Sequence, residues 1–254
     1  MDIINIDLDS DNSVDLKKII CYPEFQDNIF RNRIEELRHL GIRSIEFQGY
    51  KIIKGVSVLG KGYVSIVVLA HTDTGKVALK IRRLDADRDD MSFEGKMLKM
   101  VNRLKIGPNL LNLSDNFILM ENIEGNLLPL WISEKNKRKN IRLRDILNKL
   151  LYDCFKLDIH KIDHGELSNA SRHIIVKGDD TPILLDFESS SCHRKPKNVQ
   201  CICHYLFMRS SISESINKIL EIDDTDLLIE TLKTYKKNQN RNNFKKILEV
   251  TNTI

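Results

Sequence analysis

The 254-residue chain has no apolar run that could cross a membrane: its longest, Val64 to Ala70, is interrupted by Ser65 and falls far short of the roughly 18 to 20 residues required. The opening Met1-Asp2-Ile3-Ile4-Asn5 contains no basic residue, so no signal peptide is expected. Cysteines are few. Cys21, Cys154, Cys192, Cys201 and Cys203 are odd in number, and no pair has the two-residue spacing of a zinc knuckle or redox motif. That excludes a disulfide scaffold and makes a reducing cytoplasm the expected compartment. Internal repeats and low-complexity tracts are also missing. What remains is an ordinary globular composition, 41% hydrophobic and 30% charged, with 40 Lys and Arg against 36 Asp and Glu for a net charge of +4. At ~150 residues per domain, this length holds one large domain or two small ones.

Charge is segregated. Asp2, Asp7, Asp9, Asp11 and Asp15 open the chain without a base, whereas Lys135, Lys137, Arg138, Lys139, Arg142 and Arg144 form a stretch without an acid. That stretch, and a second at Lys236, Lys237, Arg241, Lys245 and Lys246, could meet nucleic acid; a solvated surface is the simpler reading. From Phe25 the residues Ile29, Ile34, Leu37 and Leu40 keep helical spacing, with Gly41 as the C-terminal cap. Short β-branched runs follow at Tyr50 to Ile53, Val56 to Leu59, Val64 to Ala70 and Val77 to Ile81, which predict an antiparallel meander. Asp90 is placed to cap a helix carrying Phe93, Met97, Val101 and Leu104 on one face, stopped by Gly107-Pro108. Strands are expected at Leu110 to Leu113 and Phe117 to Glu121.

Beyond Gly125 the pattern turns mainly helical, with Leu143, Ile146, Leu147, Leu150, Leu151, Cys154 and Leu157 as a core-facing stripe. His173 to Lys177 and Pro182 to Asp186 predict an embedded hairpin. Centred on Asp179-Asp180, it sets His173 opposite Asp186 on one face. Further helices are expected from near Asn198 and over 212–222, 225–236 and 242–251. The fold class is α+β, a β-rich half followed by a helical half.

Gly60-Lys61-Gly62 lies at a strand-turn-strand junction, where missing side chains let backbone N–H groups approach phosphate oxygens. Alone, such a G-x-G is more often just a hairpin turn, and without a G-K-[ST] ending or a following helix it is neither a Walker A nor a Rossmann loop. Val77-Ala78-Leu79-Lys80 puts Lys80 on the sheet face of small Ala78, leaving room for a flat ring beside a cation. Glu94 on the next helix would hold that ammonium. Gly95, costly in a helix by ~1 kcal/mol, marks either close approach of a neighbour or a helix irregularity. Asp186 ends an apolar strand and needs a partner, for which Mg²⁺ is suited.

These residues resemble the protein-kinase signature set: a Gly-rich loop, V-A-[IL]-K, a helix Glu, and Ile118-Leu119-Met120-Glu121-Asn122-Ile123-Glu124-Gly125 in place of the adenine-receiving hinge. His164-Gly165-Glu166-Leu167 and Leu184-Leu185-Asp186-Phe187-Glu188 match H-x-D-L and D-F-G in order. The H-G form is similar to RIO kinases, the small kinase of the tRNA-modifying KEOPS complex, and choline or aminoglycoside phosphotransferases. Closest are predicted archaeal Ser/Thr kinases with H-G-E-L and D-F-E-S. The resemblance covers about residues 45 to 210 and implies a bilobal kinase-like fold: an N-terminal helical extension over 1–44, an N-lobe over 45–124 and a C-lobe over 125–254.

It further implies an ATP-dependent Ser/Thr kinase using Mg²⁺ or Mn²⁺. Gly60, Lys61 and Gly62 would cover the phosphates, Val67 and Ala78 the base, and the Glu121 and Ile123 backbones would bond it. Lys80 would contact the α- and β-phosphates, Glu94 would hold Lys80, Glu166 would position the acceptor and Asp186 would hold the metal. On this reading Lys80→Ala and Asp186→Ala abolish turnover with the fold intact.

The sequence departs from the family in several places. Glu166 replaces the usual Asp, with Asp163 as a rival base. The usual Asn falls on Ser171, so His173 is either its substitute as metal ligand or a plain strand histidine. Glu188 replaces the D-F-G glycine. Only the short stretch from Asp186 to the helix expected near Asn198 remains, and no A-P-E follows, which leaves no room for the usual activation segment. His193, Arg194, Lys195 and Lys197 form a solvated basic loop or a phosphate contact, and the serines at 189–191 are a loop or autophosphorylation targets. Two alternatives stay open: a small-molecule phosphotransferase, and a nucleotide-gated assembly subunit with weak or no kinase activity. The protein substrate or partner is unspecified.

Overall fold

Alternating β-branched residues build the first of two units into which the computed structural model divides, Met1–Asn102 with Pro108–Asn122; the second comprises Arg103–Gly107 and Ile123–Ile254. The structure describes residues 2–7, 11–134, 139–222 and 224–254. It is a mixed α+β chain with antiparallel sheets. Among the described residues, no helix is long and apolar enough to cross a membrane.

The first unit contains β1 (Asp2–Asn5), α1 (Val14–Ile20), α2 (Asp27–His39), β2 (Ser44–Phe47), β3 (Lys51–Ile53), β4 (Val56–Val58), β5 (Gly60–Lys61), β6 (Ser65–Thr72), β7 (Gly75–Arg82), α3 (Ser92–Asn102), β8 (Leu110–Leu113) and β9 (Phe117–Glu121). The main sheet runs β1-β2-β6-β7-β9-β8, with β5 also on β6. β3 and β4 leave the meander and form a separate ribbon. The first 44 residues are not purely helical, because β1 pairs with β2 and so extends the sheet. Period-two alternation turns Ile66, Val68, Ala70, Val77, Leu79 and Leu119 into a core shared with Leu16, Ile19 and Ile20 of α1 and Phe30, Ile34 and Leu37 of α2. Each Val, Leu, Ile or Phe among them adds about 1.5–3 kcal/mol when fully buried. On the opposite face, Lys80 lies between its paired residues Val67 and Ile118, and Ala78 pairs with Leu69 and Met120.

Helix α3 buries Met97 and Val101 as the apolar reading expects, but its buried face turns further, towards Glu94, Gly95 and Leu98. Glu94, Gly95, Met97, Leu98 and Val101 are buried, while Phe93 is 45% exposed with the Arg88 guanidinium 5.7 Å from its ring centroid. Asp90 Oδ1 does accept the Ser92 N–H at 2.8 Å, but the helix ends at Asn102, ahead of Leu104 and Gly107. Gly95 answers to close approach: a Cβ there would lie 2.5 Å from Leu113 Cδ2 of β8.

In the second unit, β10 (Gly125–Leu127), α4 (Leu128–Ser133), α5 (Lys139–Ile159), β11 (Ile174–Lys177) and β12 (Pro182–Leu184) are followed by α6 (Asn198–His204), α7 (Ser213–Leu220), α8 (Thr225–Lys237) and α9 (Arg241–Val250). A 3₁₀ turn spans Leu167–Arg172, and a π turn at Tyr205–Arg209 continues α6. β10 makes the hairpin a three-stranded sheet. The α5 stripe from Leu143 to Leu157 is buried throughout, and Phe155 stacks on Phe244 of α9 at 4.3 Å. The register differs by one from the expected hairpin: Ile174 pairs with Leu184, and the Leu185 N–H donates to the His173 carbonyl at 2.9 Å, so His173 faces Leu185 rather than Asp186. The cause is the loop, in which Asp180 adopts φ +64° and Lys177 N–H bonds Thr181 O, leaving Gly178, Asp179 and Asp180 as a three-residue turn.

None of the five cysteines, all of them among the described residues, forms a disulfide. Cys21, Cys154 and Cys203 are buried, Cys201 is half-buried and Cys192 is exposed; burial raises the thiol pKa of the first four, Cys203 well beyond the ordinary range.

Asn116, just before β9, ties the first unit together. Its Oδ1 accepts from Arg33 Nη2 at 2.8 Å and from Arg82 Nη2 at 2.9 Å, and its Nδ2 donates to Glu36 Oε2 at 2.7 Å. Arg33 is buried; burial first and then Arg82 lower its guanidinium pKa to about 10. Removing this acceptor leaves a buried cation short of a partner. Asn116→Ala is therefore expected to cost about 3 kcal/mol, read as a lowered urea midpoint, whereas exposed Asn112→Ala costs under about 0.5 kcal/mol.

Candidate functional site

In the first unit, strand β7 and helix α3 bring Lys80 and Glu94 together. Lys80 Nζ donates to Glu94 Oε1 at 2.6 Å, with side chains 5% and 6% exposed. Val67, half-buried, and buried Ala78 share the Lys80 face of the sheet. At Gly60 a Cβ would meet only Val67 carbons at 3.9 Å, so the fold itself does not demand glycine there. The Gly62 N–H donates to Ser65 O and its carbonyl accepts from Arg83 Nη1, both at 2.8 Å, which closes a turn. Lys61 does not extend from that turn: its Nζ lies 4.5 Å from the Tyr22 ring centroid and donates to the Tyr22 hydroxyl at 2.6 Å. The Glu121 N–H bonds Asn109 O at 2.9 Å and its carboxylate accepts from Asn109 Nδ2 at 2.7 Å. Ile123 is half-buried and belongs to the second unit.

The second unit gathers Glu166, His173 and Asp186, each offering one ligand atom within 4.8 Å of the others. Three local devices produce this. Gly165 has φ +93°, and a Cβ there would lie 2.7 Å from the Ser189 carbonyl, so the turn into Glu166 requires glycine. His173 closes the 3₁₀ turn and enters β11. Asp186, past the end of β12, adopts φ +64°. That left-handed step, rather than cross-strand pairing, accounts for its side chain reaching His173 despite the shifted register. His173 Nε2 is 3.1 Å from Glu166 Oε2, and the Ser189 hydroxyl donates to Glu166 Oε1.

Around the cluster the remaining motif residues are structural. His164 is buried, Nε2 bonds Leu185 O at 3.0 Å, and its ring lies 4.9 Å from that of Phe187. Burial first, and then the neighbouring His173, push its pKa down to about 4, so the imidazole is neutral and donates through Nε2. Phe187 fills the space above Gly107, where a Cβ would meet its ring at 2.8 Å. Asp163 is committed elsewhere: Oδ2 accepts from Arg194 Nε at 2.9 Å, Oδ1 from the Lys197 N–H at 3.3 Å, and its backbone pairs with Ser191. Arg194 is thus a loop fastener, and Lys195 reaches the Lys236 carbonyl at 3.4 Å. Ser171 bonds Asn169 Oδ1, and buried Glu188 does not join the three ligand atoms. Arg142 forms an ion pair with Asp180, while Lys135, Lys137 and Arg138 lie outside the described residues, as does Asp9.

Asp158 and Asn198 carry a role that motif reading misses. Asp158 Oδ1 accepts from the Asn198 N–H and Nδ2 at 2.8 Å, and Oδ2 from Val199 N–H at 3.2 Å and Tyr235 Oη at 2.9 Å. Asn198 in turn donates to Ile162 O at 2.7 Å and accepts the His164 N–H at 2.8 Å. Burial raises the Asp158 pKa against these donors. The signal available was its position four residues after Cys154, on the buried face of α5.

Two carboxylates and an imidazole form a donor set for a divalent cation. Mg²⁺ takes the oxygens, and an imidazole nitrogen suits a transition ion such as Mn²⁺ better. A titration with Mn²⁺ is expected to broaden the His173 ring resonances, and Asp186→Asn to weaken that effect by at least about tenfold. No family model matches the chain, and no curated protein matches it.

Proposed function

We propose that this chain is a protein-kinase-like phosphotransferase, moving the γ-phosphate of ATP to a serine or threonine hydroxyl. The observation that carries this reading is the buried Lys80–Glu94 ion pair at 2.6 Å. Burying two charges adds little net stability, because apolar side chains of similar volume do as well. An ammonium fixed in place is useful where phosphate oxygens must be held, and Ala78 beside it leaves space for a planar base. On this reading Lys80 contacts the α- and β-phosphates, and Asp186, with His173, holds the cation. Bound there, the cation would neutralise charge developing on the transferred group. The chain's own residues align the acceptor and keep the ammonium in position, so the catalytic contribution is positioning and electrostatics.

A second reading is favoured by the place of Glu166. Its carboxylate contacts His173 and accepts from Ser189, so it serves the cation cluster as well as any acceptor. A nucleotide-gated subunit that binds ATP and transfers phosphate weakly fits that arrangement.

Burial corrects one expectation from the sequence. Lys80→Ala leaves Glu94 without this ion-pair partner and costs about 3–5 kcal/mol, so its effect on turnover cannot be separated from stability. The double variant Lys80→Met/Glu94→Met removes both charges and is expected to stay within about 1.5 kcal/mol of wild type by denaturant unfolding. With [γ-³²P]ATP and Mg²⁺ or Mn²⁺, it should transfer phosphate at least on the order of 100-fold more slowly. Full turnover in that stable variant would refute the assignment.

A further inference from the structure

Three consecutive serines follow the Asp186-Phe187-Glu188 motif, and the structure gives them different roles. Ser190 is buried, its hydroxyl donating to His164 O at 3.3 Å. Ser191 Oγ accepts the backbone N–H groups of His193 at 3.1 Å and Arg194 at 3.4 Å, which caps the next turn. Only Ser189, half-buried, turns its hydroxyl to the candidate site, where it donates to Glu166 Oε1. The other oxygen of that carboxylate faces His173 at 3.1 Å, on the side of the three candidate ligand atoms.

The hydroxyl is also held in place. The Ser189 carbonyl accepts from Arg194 Nη2, and Arg194 is itself anchored on Asp163. The same carbonyl lies 2.7 Å from where a Cβ at Gly165 would be, so the backbones of the two motifs are in direct contact. The Ser190 N–H bonds the Phe187 carbonyl at 3.1 Å. A hydroxyl bonded to a carboxylate, on a pinned backbone and beside a cation cluster, has the attributes of an aligned nucleophile.

We propose that Ser189 is a phosphate acceptor within its own chain, modified in cis at the candidate site. This rests on the phosphotransferase reading and specifies its first substrate. Ser189 Oγ attacks the γ-phosphorus of a nucleoside triphosphate, the new Oγ–P bond forms as the bond from phosphorus to the β,γ-bridging oxygen breaks, and the nucleoside diphosphate leaves. The hydroxyl proton passes to Glu166 Oε1, which already accepts it as a hydrogen bond. The product has a regulatory consequence: phosphorylated Ser189 no longer donates to Glu166 and carries charge that repels it. Once Glu166 passes the proton it received to solvent, its carboxylate is released for a second, external hydroxyl.

The test uses the full chain, treated with phosphatase and then incubated with ATP and Mg²⁺ or Mn²⁺. Bound nucleotide, ADP release and the position of incorporated phosphate are followed together, the last by tandem mass spectrometry. The expected result is phosphate on Ser189, at a rate independent of protein concentration, and retained at this position in Ser189→Thr. Asp186→Asn chains mixed with wild type should stay unlabelled. Nucleotide turnover or labelling elsewhere with Ser189 unmodified would overturn this proposal and leave the phosphotransferase reading standing. Label appearing on Ser189 of the Asp186→Asn chains would overturn transfer in cis. A chain that neither binds nor turns over nucleotide would overturn both readings.

Discussion

The candidate site of the second unit depends on one buried pair, Asp158 with Asn198. Asp158 stands at the end of the long helix α5, and its carboxylate takes the first N–H groups of α6 and the Tyr235 hydroxyl. Asn198 then uses its amide to hold Ile162 and His164 by their backbones. Two helices and the loop entering Gly165 are fixed by these two side chains. A carboxylate so buried is costly, and several charge-assisted hydrogen bonds offset that cost. The reward is geometric: the turn at Gly165 starts from a defined point, and Glu166 is delivered to His173.

The first unit solves a similar problem differently. Among its buried charges, Arg33 and the Lys80–Glu94 pair occupy opposite faces of one sheet. Arg33 lies with the α1–α2 core and is held through Ile20 O and Asn116. Lys80 lies on the other face, answered by α3. The sheet lies between them, and its alternation decides which charge joins the α1–α2 core and which faces α3.

Much of this was legible in sequence wherever a period was long and apolar. The stripe of α5 and the strands at Leu110–Leu113 and Phe117–Glu121 emerge where the pattern puts them. Short elements were not legible: β1 and β10 have too few residues to show a period, and exist because a neighbouring strand offers them an edge. In helix α3 Met97 and Val101 were legible as core, but Phe93, apolar by type, is exposed because the helix turns Glu94 inward to Lys80 instead. The hairpin slipped by one residue because a left-handed Asp180 carries no mark as clear as glycine would. At the site, Lys80 and Glu94 could be paired from strand parity and helix order. Glu166, His173 and Asp186 come together through positive φ at Gly165 and Asp186, of which only the glycine is visible in the sequence.

The cysteine distribution has a practical side. Thiols react as thiolates, and burial keeps Cys21, Cys154, Cys201 and Cys203 protonated. Of the five, Cys192 alone is exposed to a reagent, and it stands three residues beyond Ser189 in the same loop. An alkylating fluorophore or spin label would therefore attach selectively beside the candidate centre of the native chain, where its mobility reports on the loop without any engineered substitution.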